Sequence, residues 1–304
     1  MRNFVTRISN LIRSDIKYYY LMNLDPAKHP SFLKIEHKKR TGESLNLADP
    51  KKYTEKMQYS KLYDNTPKKT LLTDKYLVRE WVADKIGSEY LIPLLGVWDK
   101  YTEIDFEVLP EKFVLKTNHS SGWNLIVKNK EQINHRKERI KFKRWMKKRF
   151  AFNGDLQLHY EDIKPKIIAE KFIEDSSNLL IDYRFICFDG EVYYCWVDFF
   201  EGENHYSNIY NLEWELQPWT FKPLQNYYSE ITKPNNFDQM LKIATILSKD
   251  FSHVRVDLYN VNNKIFFGEM TFTSTGGYRL IEPEEYNYRL GELWDISAIQ
   301  QNNE

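Results

Sequence analysis

The sequence predicts an α+β fold made of two lobes and a helical N-terminal region. Apolar residues at helical spacing dominate the start of the chain, whereas short apolar strands separated by turn signals dominate the rest. With 304 residues, of which 42% are hydrophobic and 15% aromatic, the chain can bury a large core. We expect a helical region over residues 1–70, a first lobe over 71–165 and a second lobe over 166–304.

The first 24 residues carry apolar side chains at helical spacing, with Arg and Lys between them. Such a helix either docks on the body of the protein or lies on an anionic membrane surface. We expect docking, and peripheral contact with the inner face of a membrane is the alternative. The apolar positions are Phe4, Ile8, Leu11, Ile12, Ile16 and Tyr19.

The overall composition argues against several classes of protein. A formal net charge of +1 argues against a dedicated nucleic-acid-binding protein. The two cysteines, Cys187 and Cys195, form no disulfide framework and no zinc motif, which favours the reducing cytoplasm. No apolar run reaches the roughly 18 residues of a membrane span, and we expect no signal peptide.

Turn and capping signals predict the remaining elements. A helix is expected to begin near Thr73-Asp74, which can cap it, and to end at Gly87. A basic helix is expected over residues 136–149. Hairpin turns are expected at Asp189-Gly190 and around Asn262-Asn263. The expected strands are residues 113–117, 125–128, 167–173, 184–188, 191–196, 254–259 and 265–272.

The last predicted hairpin concentrates charged side chains on one face. If residues 262–264 form a three-residue connection, Asp257 lies opposite Glu269 and Arg255 lies opposite Thr271, whereas a two-residue connection removes this alignment. Facing carboxylates repel unless a cation or a proton lies between them, and Mg²⁺ prefers oxygen ligands. The pattern indicates either a metal site beside Arg255 or a solvated polar face with an Arg–carboxylate pair.

Three further segments carry weaker signals for nucleotide binding. Lys116 lies in an apolar strand and precedes a Ser/Gly loop whose backbone N–H groups can surround phosphate oxygens. Lys75 lies near a predicted helix N-terminus, where anions are favoured. Residues 169–175 form an apolar segment bracketed by acids, with backbone groups that can pair with an adenine edge. Each segment also has an ordinary explanation, as a hairpin loop, a surface Lys or an edge strand.

These four segments occur in the order seen in the ATP-grasp superfamily, which they resemble. Asp74-Lys75 is similar to the motif that opens the ATP-grasp core, and residues 113–122 are similar to its phosphate Lys and mobile Gly-rich loop. More narrowly, the chain resembles the TupA-like ATP-grasp family, whose members occur in bacterial capsule and polysaccharide clusters. The strings that carry this resemblance, within residues 70–280, are DKY…VRE, FVLK.NHSSG, PKII.EKFI and FGEMTF…GG.

The resemblance implies ATP and Mg²⁺ as cofactors. Arg255 is the implied catalytic residue, and Thr271 stands where many ATP-grasp enzymes have an Asn metal ligand. The ribose acid has no clear match, and Glu174 and Asp182 are its candidates. The implied metal ligands are Asp257, Glu269 and Thr271. The implied ATP-binding residues are Lys75, Lys116, Ser120, Ser121, Gly122, Glu170, Lys171, Phe172, Ile173 and Glu174.

The implied reaction joins a carboxylate to an amine through an acyl phosphate, on a cell-surface polysaccharide or a sugar-acid precursor. The implied partners are therefore small-molecule or glycan substrates and not nucleic acid. Three alternatives stay open: a kinase acting on a hydroxyl group, a binding module without turnover, and a glycosyltransferase, against which the missing DxD-type motif counts. The candidate substrate contacts are Arg79, Arg184, Asp198, His205, Asn208, Gly276 and Gly277.

Overall fold

The computed structural model describes residues 13–175, 180–227 and 229–301. Two antiparallel sheets, of four and five strands, form the two lobes, and helices make up the described part of the N-terminal region. The α+β class expected from the sequence is confirmed. Residues 1–12, which include the predicted start of the first helix, lie outside the described residues.

The first helix buries a different face from the one expected. Tyr18 and Leu21 are buried in the same cluster as Leu33, whereas Ile16 is 64% exposed and Tyr19 is 58% exposed. The predicted apolar stripe is therefore wrong at its C-terminal end, because packing on the second helix selects the opposite side. The helices before the first strand are α1 (residues 13–22), α2 (His29–Thr41), α3 (Tyr53–Tyr63), α4 (Pro67–Thr73) and α5 (Val78–Ile86).

Asp74 ends one helix instead of beginning a long one at Thr73. Its carboxylate Oδ1 accepts hydrogen bonds from the backbone N–H groups of Tyr76 and Leu77, at 2.8 and 3.2 Å. These bonds satisfy a turn between α4 and α5, so the predicted helix start is wrong. The predicted end is confirmed, since α5 ends at Gly87 with a φ of 106°.

The first sheet has the strand order β1-β4-β2-β3. Its strands are β1 (Leu94–Trp98), β2 (Phe113–Thr117), β3 (Asn124–Val127) and β4 (Ile167–Lys171). Because β4 pairs with β1 and β2, the strand that the sequence division assigned to the second lobe belongs to the first sheet. The sheet packs on α6 (His135–Trp145) through Phe142, and α6 is shorter than the basic helix expected over residues 136–149. The short helix α7 (Phe150–Asn153) follows.

The second sheet has the strand order β10-β9-β5-β6-β7. Its strands are β5 (Asp182–Phe188), β6 (Glu191–Glu201), β7 (Asn204–Tyr210), β9 (His253–Val261) and β10 (Lys264–Thr271). A small separate pair joins β8 (Thr220–Phe221) to β11 (Ile281–Glu282). One face of the large sheet packs on α5 and α8 (Phe237–Ser248), and part of the other face packs on α3. The chain ends with α9 (Glu285–Leu293) and α10 (Ser297–Gln301).

The hairpin of β9 and β10 has a shorter turn than expected. The connection is the two-residue turn 262–263, in which both residues have positive φ, so the predicted three-residue connection is wrong. Glu269 nevertheless lies opposite Asp257, because the register shifts by one residue at Gly268. The β-bulge at Gly268 thus restores the predicted pairing of the two carboxylates.

No helix within the described residues is long and apolar enough to cross a membrane. Cys187 and Cys195 are both buried and free of disulfide bonds.

Candidate active site

A cavity of about 190 Å³ lies between the two sheets, and we call it the first cavity. It is lined by side chains from the first sheet, from the Ser/Gly loop and from three strands of the second sheet. The structure therefore brings together predicted site residues that are up to 194 positions apart in the chain. Those that line the cavity are Lys75, Lys116, Ser120, Ser121, Gly122, Asp182, Arg184, Asp257 and Glu269.

Arg255 and Asp257 form a buried ion pair with two hydrogen bonds. Arg255 Nε and Nη2 donate to the two carboxylate oxygens of Asp257 at 2.7 and 2.6 Å. The same guanidinium donates to Thr271 Oγ1 at 3.1 Å and to Ser274 Oγ at 2.6 Å. Burial raises the pKa of Asp257 more than the adjoining cation of Arg255 lowers it, and the resulting pKa is about 6. These contacts hold Arg255 in one orientation.

Glu269 faces Asp257 and contacts two cations. Lys75 Nζ donates to Glu269 Oε2 at 3.1 Å, and Arg255 Nη2 lies 3.6 Å from Oε1. Thr271 Oγ1 also donates to Oε1, at 3.0 Å. Burial alone would raise the pKa of Glu269, but the cations of Lys75 and Arg255 bring it down to about 2. The positive charge that the facing carboxylates require is therefore supplied here by Arg255 and Lys75.

The oxygen donors of Asp257, Glu269 and Thr271 fit a Mg²⁺ ion that takes the rest of its shell from phosphate oxygens and water. Among the described residues, no group of three or more His, Cys, Asp or Glu side chains is placed to hold a metal ion. Both oxygens of Asp257 already accept hydrogen bonds from Arg255, so a metal there uses their remaining lone pairs. The donor set suits a metal shared with a nucleotide and not a closed protein site.

Lys116 and Arg79 share the carboxylate of Glu170. Lys116 Nζ donates to Glu170 Oε2 at 2.7 Å, and Arg79 Nη1 donates to Oε1 at 3.1 Å. Arg79 Nη2 also donates to the carbonyl of Ile92 at 2.7 Å. Arg79, a predicted substrate contact, thus lies beside Lys75 and Lys116 at the end of β4. Glu170, a predicted adenine contact, holds the two cations in place.

Asn118 anchors the loop that follows β2, a role that the sequence motif containing it did not reveal. Its side-chain amide donates to Asp74 Oδ2 at 2.9 Å, and its side-chain and backbone groups bond to the backbone of residues 164–166. Its carbonyl accepts from the backbone N–H of Lys75 at 3.1 Å. The loop tip at residues 121–122 stays exposed, so the loop has a fixed base and an accessible tip.

The predicted adenine segment begins inside the first sheet. The backbone N–H of Lys171, the last residue of β4, donates to the carbonyl of Pro93 at 2.9 Å and is not free for a ligand. Residues 172–175 follow without regular structure. Ile173 packs against a small cluster of Ile92, Val261 and Phe266, while Phe172 lies under the Lys128 ammonium at 5.9 Å. The backbone groups of this segment that could pair with a nucleotide therefore belong to residues 172–174.

The two candidate ribose acids have different surroundings. Glu174 pairs with Lys112 at 2.7 Å, and both side chains are about half exposed. Asp182 lines the first cavity and accepts from Arg184 Nη2 at 2.8 Å. Burial raises the pKa of Asp182. Of the two candidate ribose acids, Asp182 is therefore the one that lines the first cavity.

A second cavity, of about 470 Å³, adjoins the first and shares Ser121, Trp123, Arg184 and Glu269 with it. Three predicted substrate contacts lie elsewhere, and one of them is Arg79, beside Lys75 and Lys116. Asn208 donates to the carbonyl of Tyr227 at 2.9 Å in a buried position, and Gly277 packs against α3. The predicted substrate contacts that line the second cavity are Arg184, Asp198, His205 and Gly276.

Asp198 links two of these residues. Arg184 Nη2 lies 2.6 Å from Asp198 Oδ2, and His205 Nε2 lies 2.7 Å from Asp198 Oδ1. Asp198 is 3% exposed, whereas the His205 ring stacks on the exposed ring of Phe200 with centroids 4.1 Å apart. The buried carboxylate of Asp198 thus orients both Arg184 and His205 along the wall of the cavity.

Gln58 and Lys61 of α3 anchor the glycine turn, and sequence reasoning missed both. Gln58 Nε2 donates to the carbonyls of Gly276 and Gly277 at 2.9 Å each, and Lys61 Nζ donates to the carbonyl of Gly276 at 3.1 Å. Lys61 is fully buried, and burial lowers its pKa to about 7. The N-terminal helical region therefore supports the rim of the second cavity.

The family model described as TupA-like ATPgrasp matches residues 55–295. This match covers most of the chain and confirms the resemblance drawn from the motifs. No curated protein sequence is detectably similar to the chain.

Several solved structures share a distant likeness with the chain. D-alanine–D-alanine ligase from Bacillus anthracis, complexed with ATP, is 12% identical with a TM-score of 0.43, and the match covers 77% of this chain and 66% of that one. L-amino acid ligase from Bacillus licheniformis is 11% identical with a TM-score of 0.43, and the match covers 74% of this chain and 50% of that one. ATP-grasp ligase PsnB, complexed with its minimal precursor, Mg and ADP, is 11% identical with a TM-score of 0.42, and the match covers 83% of this chain and 66% of that one. The chain thus spans 50–66% of the length of these three proteins.

Proposed function

The chain belongs to the TupA-like ATP-grasp family, and from this premise we propose that it is an ATP- and Mg²⁺-dependent ligase that joins a carboxylate to an amine. Its carboxylate substrate is a sugar acid or an acidic cell-surface glycan precursor, and its amine is an amino acid or a similar small molecule. The observation that carries the proposal is that Glu269 and Arg184 line both cavities. A nucleotide in the first cavity and an acceptor in the second would therefore meet at these residues.

The cations around the first cavity suit a triphosphate. Lys75 and Lys116 supply two ammonium groups, each held by a carboxylate at 3.1 and 2.7 Å. Asp257, Glu269 and Thr271 would hold Mg²⁺, which would neutralise phosphate charge when bound. The exposed tip of the Ser/Gly loop, at residues 121–122, would close over the phosphates and exclude water.

Arg255 is placed to stabilise negative charge that develops between the two cavities. Its guanidinium is fixed by Asp257 and Ser274, so it is already oriented before a substrate arrives. A preorganised cation stabilises negative charge on a transferring phosphoryl group with little reorganisation. Asp198 and His205 line the second cavity, where the amine would enter.

Release of ADP tests the proposal. The protein is incubated with ATP and Mg²⁺ and a panel of sugar acids, with and without amino acids, and ADP is quantified. We expect ADP release that requires both an acid and an amine and that falls to background in Asp257→Asn. Release with a neutral sugar alone would instead support the kinase alternative. Absence of release with every pair would contradict the ligase proposal.

Peripheral membrane contact is a second, separate proposal for the N-terminal helix. Ile16 and Tyr19 of α1 are 64% and 58% exposed, next to the exposed Arg13. Exposed apolar side chains beside a basic residue favour binding of the helix to an anionic bilayer surface. Co-sedimentation with phosphatidylglycerol vesicles, and not with phosphatidylcholine vesicles, is expected, and Ile16→Asp should reduce it. Equal sedimentation of the variant would contradict this contact.

A further inference from the structure

The bond between His205 and Asp198 fixes which ring nitrogen of the histidine is free. Asp198 Oδ1 lies 2.7 Å from His205 Nε2, and its Oδ2 lies 2.6 Å from Arg184 Nη2. Because a carboxylate only accepts hydrogen bonds, the neutral ring carries its proton on Nε2 and a lone pair on Nδ1. Among the described residues, Nδ1 has no hydrogen-bond partner, and it is not buried. His205 also stacks on the exposed ring of Phe200, so Nδ1 can accept a proton at the mouth of the second cavity.

Three guanidinium groups make the inner wall of this cavity positive. The guanidinium carbons of Arg184, Arg255 and Arg279 lie 4.8, 5.2 and 5.6 Å from the centroid of the Trp196 ring. Carboxylates pair with the first two, whereas Nη1 of Arg279 is buried without a hydrogen-bond partner in the described part of the chain. Such a wall disfavours an ammonium group. An amine that reacts beside it must therefore give up a proton first.

The other proton-accepting side chains that line the cavity are poorly suited to take this proton. Burial alone would raise the pKa of Glu269, but two neighbouring cations outweigh it and bring the pKa to about 2. Burial raises the pKa of Tyr160, so its hydroxyl group keeps its proton near neutral pH. Both carboxylate oxygens of Asp198 are already engaged. Histidine, in contrast, is the side chain that most often exchanges protons near neutral pH, which leaves His205 as the acceptor.

We propose that His205 is the general base that deprotonates the attacking amine, and that Asp198 positions its ring. This role rests on the ligase function proposed above. The ammonium form of the amine gives one proton to His205 Nδ1, and its nitrogen then attacks the carbonyl carbon of the acyl phosphate. The new C–N bond forms, the C–O bond to the phosphate breaks, and a second proton from the nitrogen leaves with the phosphate as hydrogen phosphate. His205 then releases its proton to water at the mouth of the cavity.

The test compares two kinds of nucleophile that differ in their need for a base. The protein is incubated with ATP, Mg²⁺ and D-glucuronate or D-galacturonate, together with either a mixture of the common amino acids or hydroxylamine. Hydroxylamine is largely uncharged at neutral pH, so it attacks an acyl phosphate without a base. Mass spectrometry measures the amide and the hydroxamate. His205→Gln should lower the ratio of amide to hydroxamate about a hundredfold or more. A higher pH should restore part of this ratio, because the solution then supplies uncharged amine.

His135→Gln is the matched control for this test. His135 lies on α6 in the first lobe, where its Nδ1 is 3.1 Å from the hydroxyl oxygen of Tyr101, and its substitution should leave the ratio unchanged. An unchanged ratio in His205→Gln, including a parallel fall of both products, would assign His205 a structural role and overturn the proposal. Absence of hydroxamate from the unaltered protein would contradict the ligase function itself, and with it the role of His205.

Discussion

Gly268 places Glu269 directly opposite Asp257. The two strands pair in one register as far as Phe267, and Gly268 is then passed over before the pair of Glu269 with Asp257. If Gly268 were instead paired in this register, strand alternation would turn Glu269 towards the apolar face on which Phe267 lies. The bulge therefore moves Glu269 to the charged face and leaves Met270 in the core.

Gly268→Ala should disturb this pairing. An added Cβ would lie 3.0 Å from the carbonyl oxygen of Asp257 and 3.2 Å from Tyr259 Cε2. Because a backbone atom cannot move aside without shifting the hairpin, we expect a loss of about 1–3 kcal/mol in the free energy of unfolding. We also expect a larger proportional fall in ATP-dependent ADP release. Urea denaturation and the ADP assay measure the two effects.

Gly202→Ala is the control for this prediction. Gly202 has a φ of 63° in a turn, and an added Cβ there meets no atom within 4 Å. This variant therefore reports backbone strain alone, and ADP release should be unchanged. Full ADP release in Gly268→Ala would contradict the role assigned to the bulge.

Lys116→Ala should weaken nucleotide binding while the fold is retained. The Lys116 side chain is 24% exposed at the cavity, so its loss creates little empty space in the core. Loss of a charge-assisted contact to phosphate predicts a fall in MgATP affinity of about tenfold or more, measured by isothermal titration. Lys112→Ala is the matched control, because Lys112 pairs with Glu174 on the surface. Equal affinities in the two variants would refute the assignment of Lys116.

Because Lys61 is buried, the free energy of unfolding should increase as the pH rises above neutral. Its pKa is lowered from 10.5 to about 7 by burial, so between these values the unfolded chain binds a proton that the folded chain does not. The free energy of unfolding should therefore contain a contribution that rises from about pH 7 to pH 10. Lys61→Met should remove this contribution, as measured by urea denaturation across that range. An identical pH dependence in both proteins would contradict it.

The sequence was sufficient to predict the charged face of the last hairpin. Alternation of polar and apolar residues places Asp257 on one face and Val256 on the other, and the structure agrees. The turn was predicted wrongly, because Asn262 and Asn263 both adopt positive φ and close the hairpin with two residues. Despite this wrong turn, the bulge at Gly268 brings Glu269 opposite Asp257. The bulge itself was not predicted, because a lone Gly in a strand is an ambiguous signal.

Long-range contacts account for what the sequence did not reveal. Asn118 acts through bonds to Asp74 and to residues 164–166, which are distant in the chain. The exposed face of α1 likewise depends on the packing of Leu21, which local periodicity does not determine.

We propose that the first cavity binds MgATP through Asp257, Glu269 and the two lysines. The most direct test is the thermal stability of the protein with ATP, with and without Mg²⁺. ATP at 100 times its dissociation constant should stabilise the folded state by about 2.7 kcal/mol in the presence of Mg²⁺. This shift should be lost in Asp257→Asn. Absence of any shift at millimolar ATP with Mg²⁺ would contradict the account.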